Sequence, residues 1–137
     1  MSAASPLGDL ELIRTGPTGA LSAFDAPEDG PVMAGHYPGF PVLPGVFLIE
    51  AAHRTVRRWA EDNAAGASGE LELVAMDRCR FHRPVFPGDR VLADVTVAGG
   101  PTELLCKAAV ATDRGKVADI RLRYRVGRDG DQEGSTS

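Results

Sequence analysis

His36 and Glu50 are the residues whose types and spacing could carry proton chemistry. His36 opens a segment crowded with Pro and Gly, and fourteen residues later Glu50 sits between Val46-Phe47-Leu48-Ile49 and Ala51-Ala52. An imidazole of ordinary pKa, about 6.5, is largely neutral near pH 7 and can accept a proton. A carboxylate inside an apolar run is desolvated, which disfavours its charged form and raises its pKa. A carboxylic acid that keeps its proton near neutrality can donate it. Plainer readings stand beside these: a loop histidine making one hydrogen bond, and a glutamate on the one exposed stripe of an otherwise buried helix.

The elements around the two residues have to position them. Residues 27–45 hold Pro27, Pro31, Pro38, Pro41 and Pro44 with four glycines. Such a long, stiff loop inside a compact domain is often functional. Pro44 suits the first turn of a helix, where its missing N–H would have no partner in any case. The pattern predicts a helix over 45–62, stopping near Asn63 and Gly66, about 27 Å long at 1.5 Å per residue. Its first half is apolar all round, which predicts burial on all sides. Its second half turns Val56, Trp59 and Ala60 one way and Arg54, Arg57, Arg58 and Glu61 toward water.

Strand-like runs flank this helix. Residues 9–15 and 19–26 join at Gly16-Pro17-Thr18-Gly19, a predicted hairpin. After the helix come 71–83, 90–98, 102–112 and 116–126, separated by Pro87-Gly88-Asp89, Gly99-Gly100-Pro101 and the short loop Asp113-Arg114-Gly115. Tight connections between consecutive strands predict a largely antiparallel sheet. A helix buried on all sides needs a sheet that curls around it, so the fold class is α+β. Residues 1–8 and 127–137 read as polar, flexible tails on a single domain spanning 9–126.

The totals narrow the function classes. With 137 residues, 43% hydrophobic and 25% charged, the chain can bury one core without a disulfide or metal. A net charge of −4 argues against bulk nucleic-acid binding. No apolar run approaches the roughly 20 residues that span a bilayer. The N-terminus lacks a basic region followed by an apolar one, so no secretory signal is expected. Cys79 and Cys106 lie in strand-like runs and read as small core residues of a reduced, cytoplasmic protein. His53 and His82 have no metal-ligand spacing with each other or with a cysteine pair, so no metal site is expected.

GHYPGFPVLPGVFLIEA, residues 35–51, resembles the H-F-P-G-H-P-x-M-P-G-V-x-x-x-E-A segment of the β-hydroxyacyl-acyl-carrier-protein dehydratases. RFHRPVFPGDRV, residues 80–91, resembles that family's F-x-x-P-V-x-P-G-D turn. With the order of elements, the resemblance extends over roughly residues 9–126. It implies a hotdog fold, a curled antiparallel sheet wrapped around one long central helix. It also implies loss of water from a 3-hydroxyacyl thioester carried on the phosphopantetheine of an acyl carrier protein, giving a trans-2-enoyl thioester. Neither a metal nor a dissociable cofactor is implied. The family's dimer brings the histidine of one subunit to the carboxylate of the other.

On this resemblance His36 is the base for the C2 proton and Glu50 the acid for the departing hydroxyl. Gly45 opens the helix, where unpaired N–H groups and the positive dipole end can hold the thioester carbonyl; a glycine serving only the turn reads the same in sequence. Tyr37, Phe40 and Phe86 are candidate tunnel residues, equally readable as core. Arg54, Arg57, Arg58 and Arg83 are candidates for docking the acidic carrier protein, with neighbours Arg78, Arg80 and Arg90 in the same basic stretch, against the plainer reading of a solvated face.

Two positions depart from the family. Phe40 replaces its second histidine, and Arg54 replaces a glutamine one turn after the acid. A cation beside Glu50 would oppose the rise in pKa that an acid needs. The expected arrangement has Arg54 extending past Glu50 to the surface. These departures keep two alternatives open: a non-catalytic or half-active subunit of a heteromeric dehydratase, and a hotdog thioesterase.

Overall fold

The computed structural model describes residues 9–28, 43–63 and 71–127. They form strands β1 (Glu11–Gly16) and β2 (Gly19–Asp25), helix α1 (Val46–Asn63), then β3 (Leu71–Phe81), β4 (Arg90–Gly99), β5 (Glu103–Thr112) and β6 (Gly115–Val126). The expected order of two strands, one helix and four strands is the observed one, with bounds shifted by a residue or two.

All strands join one antiparallel sheet in the order β1-β2-β4-β5-β6-β3. The sheet curls around α1, the hotdog arrangement. Period-two burial explains the middle strands: Val91, Ala93, Val95 and Val97 of β4 and Leu104, Cys106, Ala108 and Val110 of β5 face the helix, and their neighbours face out. Gly115, with φ of +117°, turns the chain between β5 and β6 in a conformation that residues with a Cβ rarely adopt.

The helix packs through one stripe, Leu48, Ala51, Ala52, Thr55, Val56, Trp59 and Ala60. Spacings of three and four place these residues on one side. The expectation that the first half is buried on all sides is not met. Val46 is 61% exposed, and Phe47, Ile49 and Glu50 are only partly buried. The sheet covers one side of α1, because the helix packs on β1, β2, β4, β5 and β6 while β3 hangs at the far edge, paired to β6.

Polar ties pin the helix to the sheet. Trp59 Nε1–H donates to the Gly16 carbonyl at 2.7 Å. Inside the core, Thr55 Oγ1 donates to the Ala51 carbonyl at 2.7 Å and lies 2.7 Å from Ser22 Oγ. Thr55 has one hydroxyl proton and spends it on Ala51, so Ser22 donates to Thr55.

Cys106 is buried and Cys79 half-buried, and both are free thiols. Burial pushes the Cys106 thiol up to about 12. Among the described residues no helix is long and apolar enough to cross a membrane. The predicted tails, apart from residue 127, lie outside the described residues.

Thr55→Val removes the acceptor that Ser22 uses in the core and should cost about 1–3 kcal/mol. Replacing both partners, Ser22→Ala with Thr55→Val, should recover most of the loss. Urea unfolding of the three variants checks this, and equal losses in the single and double variants would contradict the assigned bond.

Candidate active site

The two sequence motifs meet at the opening of α1. Leu43 N–H donates to the Val85 carbonyl at 2.9 Å, tying the helix entrance to the segment after β3. The Gly45 carbonyl then accepts from Leu48 N–H at 2.9 Å and Ile49 N–H at 3.3 Å, which starts the helix. The Gly45 N–H has no acceptor among the described residues, as expected at a helix start. The ring of Phe81, last residue of β3, lies across Gly45, where an added Cβ would stand 2.6 Å from its Cζ. Gly45 thus allows an aromatic ring to close on the helix end. Phe81 is 49% exposed.

Glu50 lies five residues beyond Gly45, about 7.5 Å along the axis, on the side of α1 that the sheet leaves uncovered. Its carboxylate is 3.6 Å from Arg54 Nη1, with the two side chains 35% and 32% exposed. The expected arrangement, with Arg54 extended past the acid, is therefore corrected. Positions four apart on a helix face each other, and no strand of the sheet stands between the two side chains on this side.

His53 is one turn beyond Glu50. Its Nδ1 is 2.7 Å from the buried Tyr124 hydroxyl, and the two rings stack with centroids 5.7 Å apart. Burial lowers the His53 pKa first, Arg57 adds to this, and the Glu50 carboxylate acts in the opposite direction. Burial pushes the Tyr124 phenol up, so it keeps its proton. Sequence reading assigned Phe81 no role and weighed His53 only as a metal ligand. The spacing of His53 three residues from Glu50, and the place of Phe81 at the head of the second motif, were the available signals.

The other candidates are scattered. His36, Tyr37 and Phe40 lie outside the described residues. Phe86 belongs to the 86–89 turn: its N–H donates to Asp89 Oδ2 at 2.8 Å, and the Arg114 guanidinium stands 5.0 Å from its ring centroid. Arg83 clips the β5–β6 turn, donating to the carbonyls of Lys116 at 3.0 Å and Arg114 at 2.9 Å. Arg57 and Arg58 are exposed on α1, and Arg58 is 3.6 Å from Asp62. His82 Nε2 is 2.9 Å from Asp119 Oδ2. Among the described residues no three His, Cys, Asp or Glu converge as metal ligands.

Residues 14–118 match the family model of the ApeI-like dehydratases, described as ApeI dehydratase. The chain belongs to this family. It is 37% identical over 89 residues to the 3-hydroxyacyl-acyl-carrier-protein dehydratase FabZ of Haemophilus influenzae, a match covering 64% of this chain and 60% of that protein. It thus spans less than two thirds of that relative. Among solved structures, the dehydratase heterocomplex ApeI:P from Xenorhabdus doucetiae superposes with a TM-score of 0.72 at 12% identity, over 98% of this chain and 93% of that one. Zebra fish thioesterase superfamily member 2 superposes with a TM-score of 0.70 at 15% identity, over 86% and 81%. These two likenesses establish the fold, which does not by itself choose between dehydration and thioester hydrolysis.

Gly45→Ala should cost less than about 1 kcal/mol, because the exposed Phe81 ring can swing aside, yet it should shift that ring off the helix end. Thermal unfolding and the aromatic NMR resonances of Phe81 test the two halves. A loss of several kcal/mol would mean the ring is locked in place and that Gly45 serves packing first.

Proposed function

We propose that this chain dehydrates a 3-hydroxyacyl thioester carried on acyl carrier protein to the trans-2-enoyl thioester, in fatty-acid or specialised polyketide biosynthesis. The observation that carries the reading is Glu50: a carboxylate on the uncovered side of α1, a short step from the helix start at Gly45, inside the motif shared with the dehydratases. A structural glutamate would serve as well on any exposed stripe. A carboxyl group beside a helix N-terminus can serve a thioester whose carbonyl takes the Gly45 N–H.

In this mechanism His36 removes the C2 proton, and the electron pair moves into the thioester as an enolate. The Gly45 N–H and the helix dipole stabilise the charge on the carbonyl oxygen. The enolate then expels the C3 hydroxyl, which takes a proton from Glu50 and leaves as water. The Glu50–Arg54 contact has to open for this. It is a half-exposed pair four residues apart, worth only about 0.3–0.5 kcal/mol, so opening it is easy. No metal or dissociable cofactor takes part.

His36→Ala and Glu50→Gln should each slow dehydration by about 100-fold or more. Mass spectrometry of a 3-hydroxyacyl carrier protein after incubation reads the loss of one water. Near-normal turnover by either variant would rule out the two-residue mechanism, and release of free acid would favour the thioesterase.

A second reading is favoured by β3, an edge strand of eleven residues on which Leu73, Val74 and Met76 are 40%, 38% and 49% exposed. Such an edge invites a second sheet, and pairing would also cover the uncovered side of α1. The partner is a second copy or a different hotdog chain, a reading supported by the likeness to a dehydratase heterocomplex from Xenorhabdus. In the latter case this chain is the half-active subunit. Sedimentation of the purified chain should give a dimer at micromolar concentration. A monomer that is inactive until a second hotdog chain is added would establish the heteromeric reading.

A further inference from the structure

The outward face of the sheet carries an arrangement that folding alone does not explain. Lys107 of β5 is directly opposite Arg121 of β6, and Arg121 is directly opposite Arg78 of β3. Three cations therefore form one row across three strands, and Arg80 adds a fourth one step along. Like charges directly opposite one another destabilise a sheet. Neighbouring cations on the same strands are matched: Arg123 binds Asp77 at 2.6 Å, Arg125 is 3.4 Å from Glu72, and Lys116 is 3.1 Å from Asp119. Arg78, Arg80, Lys107 and Arg121 make no ion pair within the described residues. Asp77, which feels Arg121, is already held by Arg123. Asp119, opposite Arg80, is shared by His82 and Lys116.

The four side chains line one shallow hollow with Asp119. At about 4.8 Å between strands the row is about 10 Å wide, too broad for a single phosphate and suited to several carboxylates on a protein surface. The chain as a whole carries −4, so a concentrated row of cations stands out as a place where an acidic partner is drawn against the overall charge. Arg80 immediately precedes Phe81, whose ring closes on Gly45. The hollow and the helix start therefore lie on opposite sides of one strand end.

We propose that this row, Arg78, Arg80, Lys107 and Arg121, is the surface on which the acidic face of the acyl carrier protein docks while its thioester arm reaches the α1 opening. It replaces Arg83, whose guanidinium is spent on the β5–β6 turn, and Arg57 and Arg58 on the helix. The proposal rests on the carrier-bound substrate of the preceding section.

The test uses the full chain, the acyl carrier protein of Haemophilus influenzae as probe, and the triple variant Arg78→Gln/Lys107→Gln/Arg121→Gln. Titration calorimetry should show binding that weakens with salt and falls about tenfold or more in the triple variant, but stays unchanged in Arg57→Gln/Arg58→Gln. Turnover of a 3-hydroxyacyl carrier protein should fall through KM, while turnover of the same acyl group on coenzyme A should not change. Thermal unfolding of the triple variant should be unchanged or shifted upward, because a repulsive row has been removed. Undiminished carrier binding by the triple variant, no binding by the unaltered chain, equal loss on both substrates, or a marked loss of thermal stability would each overturn the proposal. If neither substrate loses water but carrier binding still depends on the row, the docking surface stands and the dehydratase reading falls.

Discussion

A single stripe of seven residues on α1 holds this molecule in its shape, and the small size of its members sets everything else. Ala51, Ala52 and Ala60 let the sheet come close, and Thr55 and Trp59 fix the helix at one rotation and one height. A helix that buries one side so completely must offer its other side to something else. Glu50 and Arg54 are placed there by that same rotation, with His53 at the border, its ring against Tyr124 of β6. A turn of the helix by one residue, about 100°, would carry the carboxylate into the core, where an unpaired charge is prohibitively costly. Packing thus specifies the site before any catalytic demand is considered.

Much of this was legible in the sequence, because the relevant signals are local. Alternating apolar residues in β4 and β5, Gly-containing turns, and Pro44 at the helix start each act over a few residues, and the elements came out where those signals put them. The side of α1 that the sheet leaves uncovered was misread, since four consecutive apolar residues look alike whether or not a sheet covers them. The Glu50–Arg54 contact was misjudged for a related reason. Whether a long side chain folds back or extends depends on what stands over it, and no pattern in the sequence states that.

At the candidate site, motif reading pointed to the helix start and to the Glu50 carboxylate near it but not to the ring that closes on the helix end. Phe81 and Gly45 are 36 positions apart, and only the tertiary fold brings them together. The hydrogen bond between Leu43 and Val85 does the same for the two motifs as wholes. Their joint presence in one chain is thus physically connected: the second motif is the floor on which the first begins its helix. Phe86 illustrates the opposite outcome, an aromatic residue inside a functional motif whose ring is taken up by Arg114 in a tight turn.

The edge strand β3 has two irregularities, between Leu73 and Ala75 and between Met76 and Arg78, where its register against β6 slips. Each extra residue bends the strand and increases its twist. A flat edge of eleven residues would accept any extended chain in many alignments and could be extended without limit into a fibre. A twice-bent edge is selective in the way a cut key is: only a strand with matching bends can lie along it, and once it does, no further edge of the same shape remains open. A neighbour strand on such an edge would have to match its backbone shape as well as its side chains, and pairing of that kind would stop after one step.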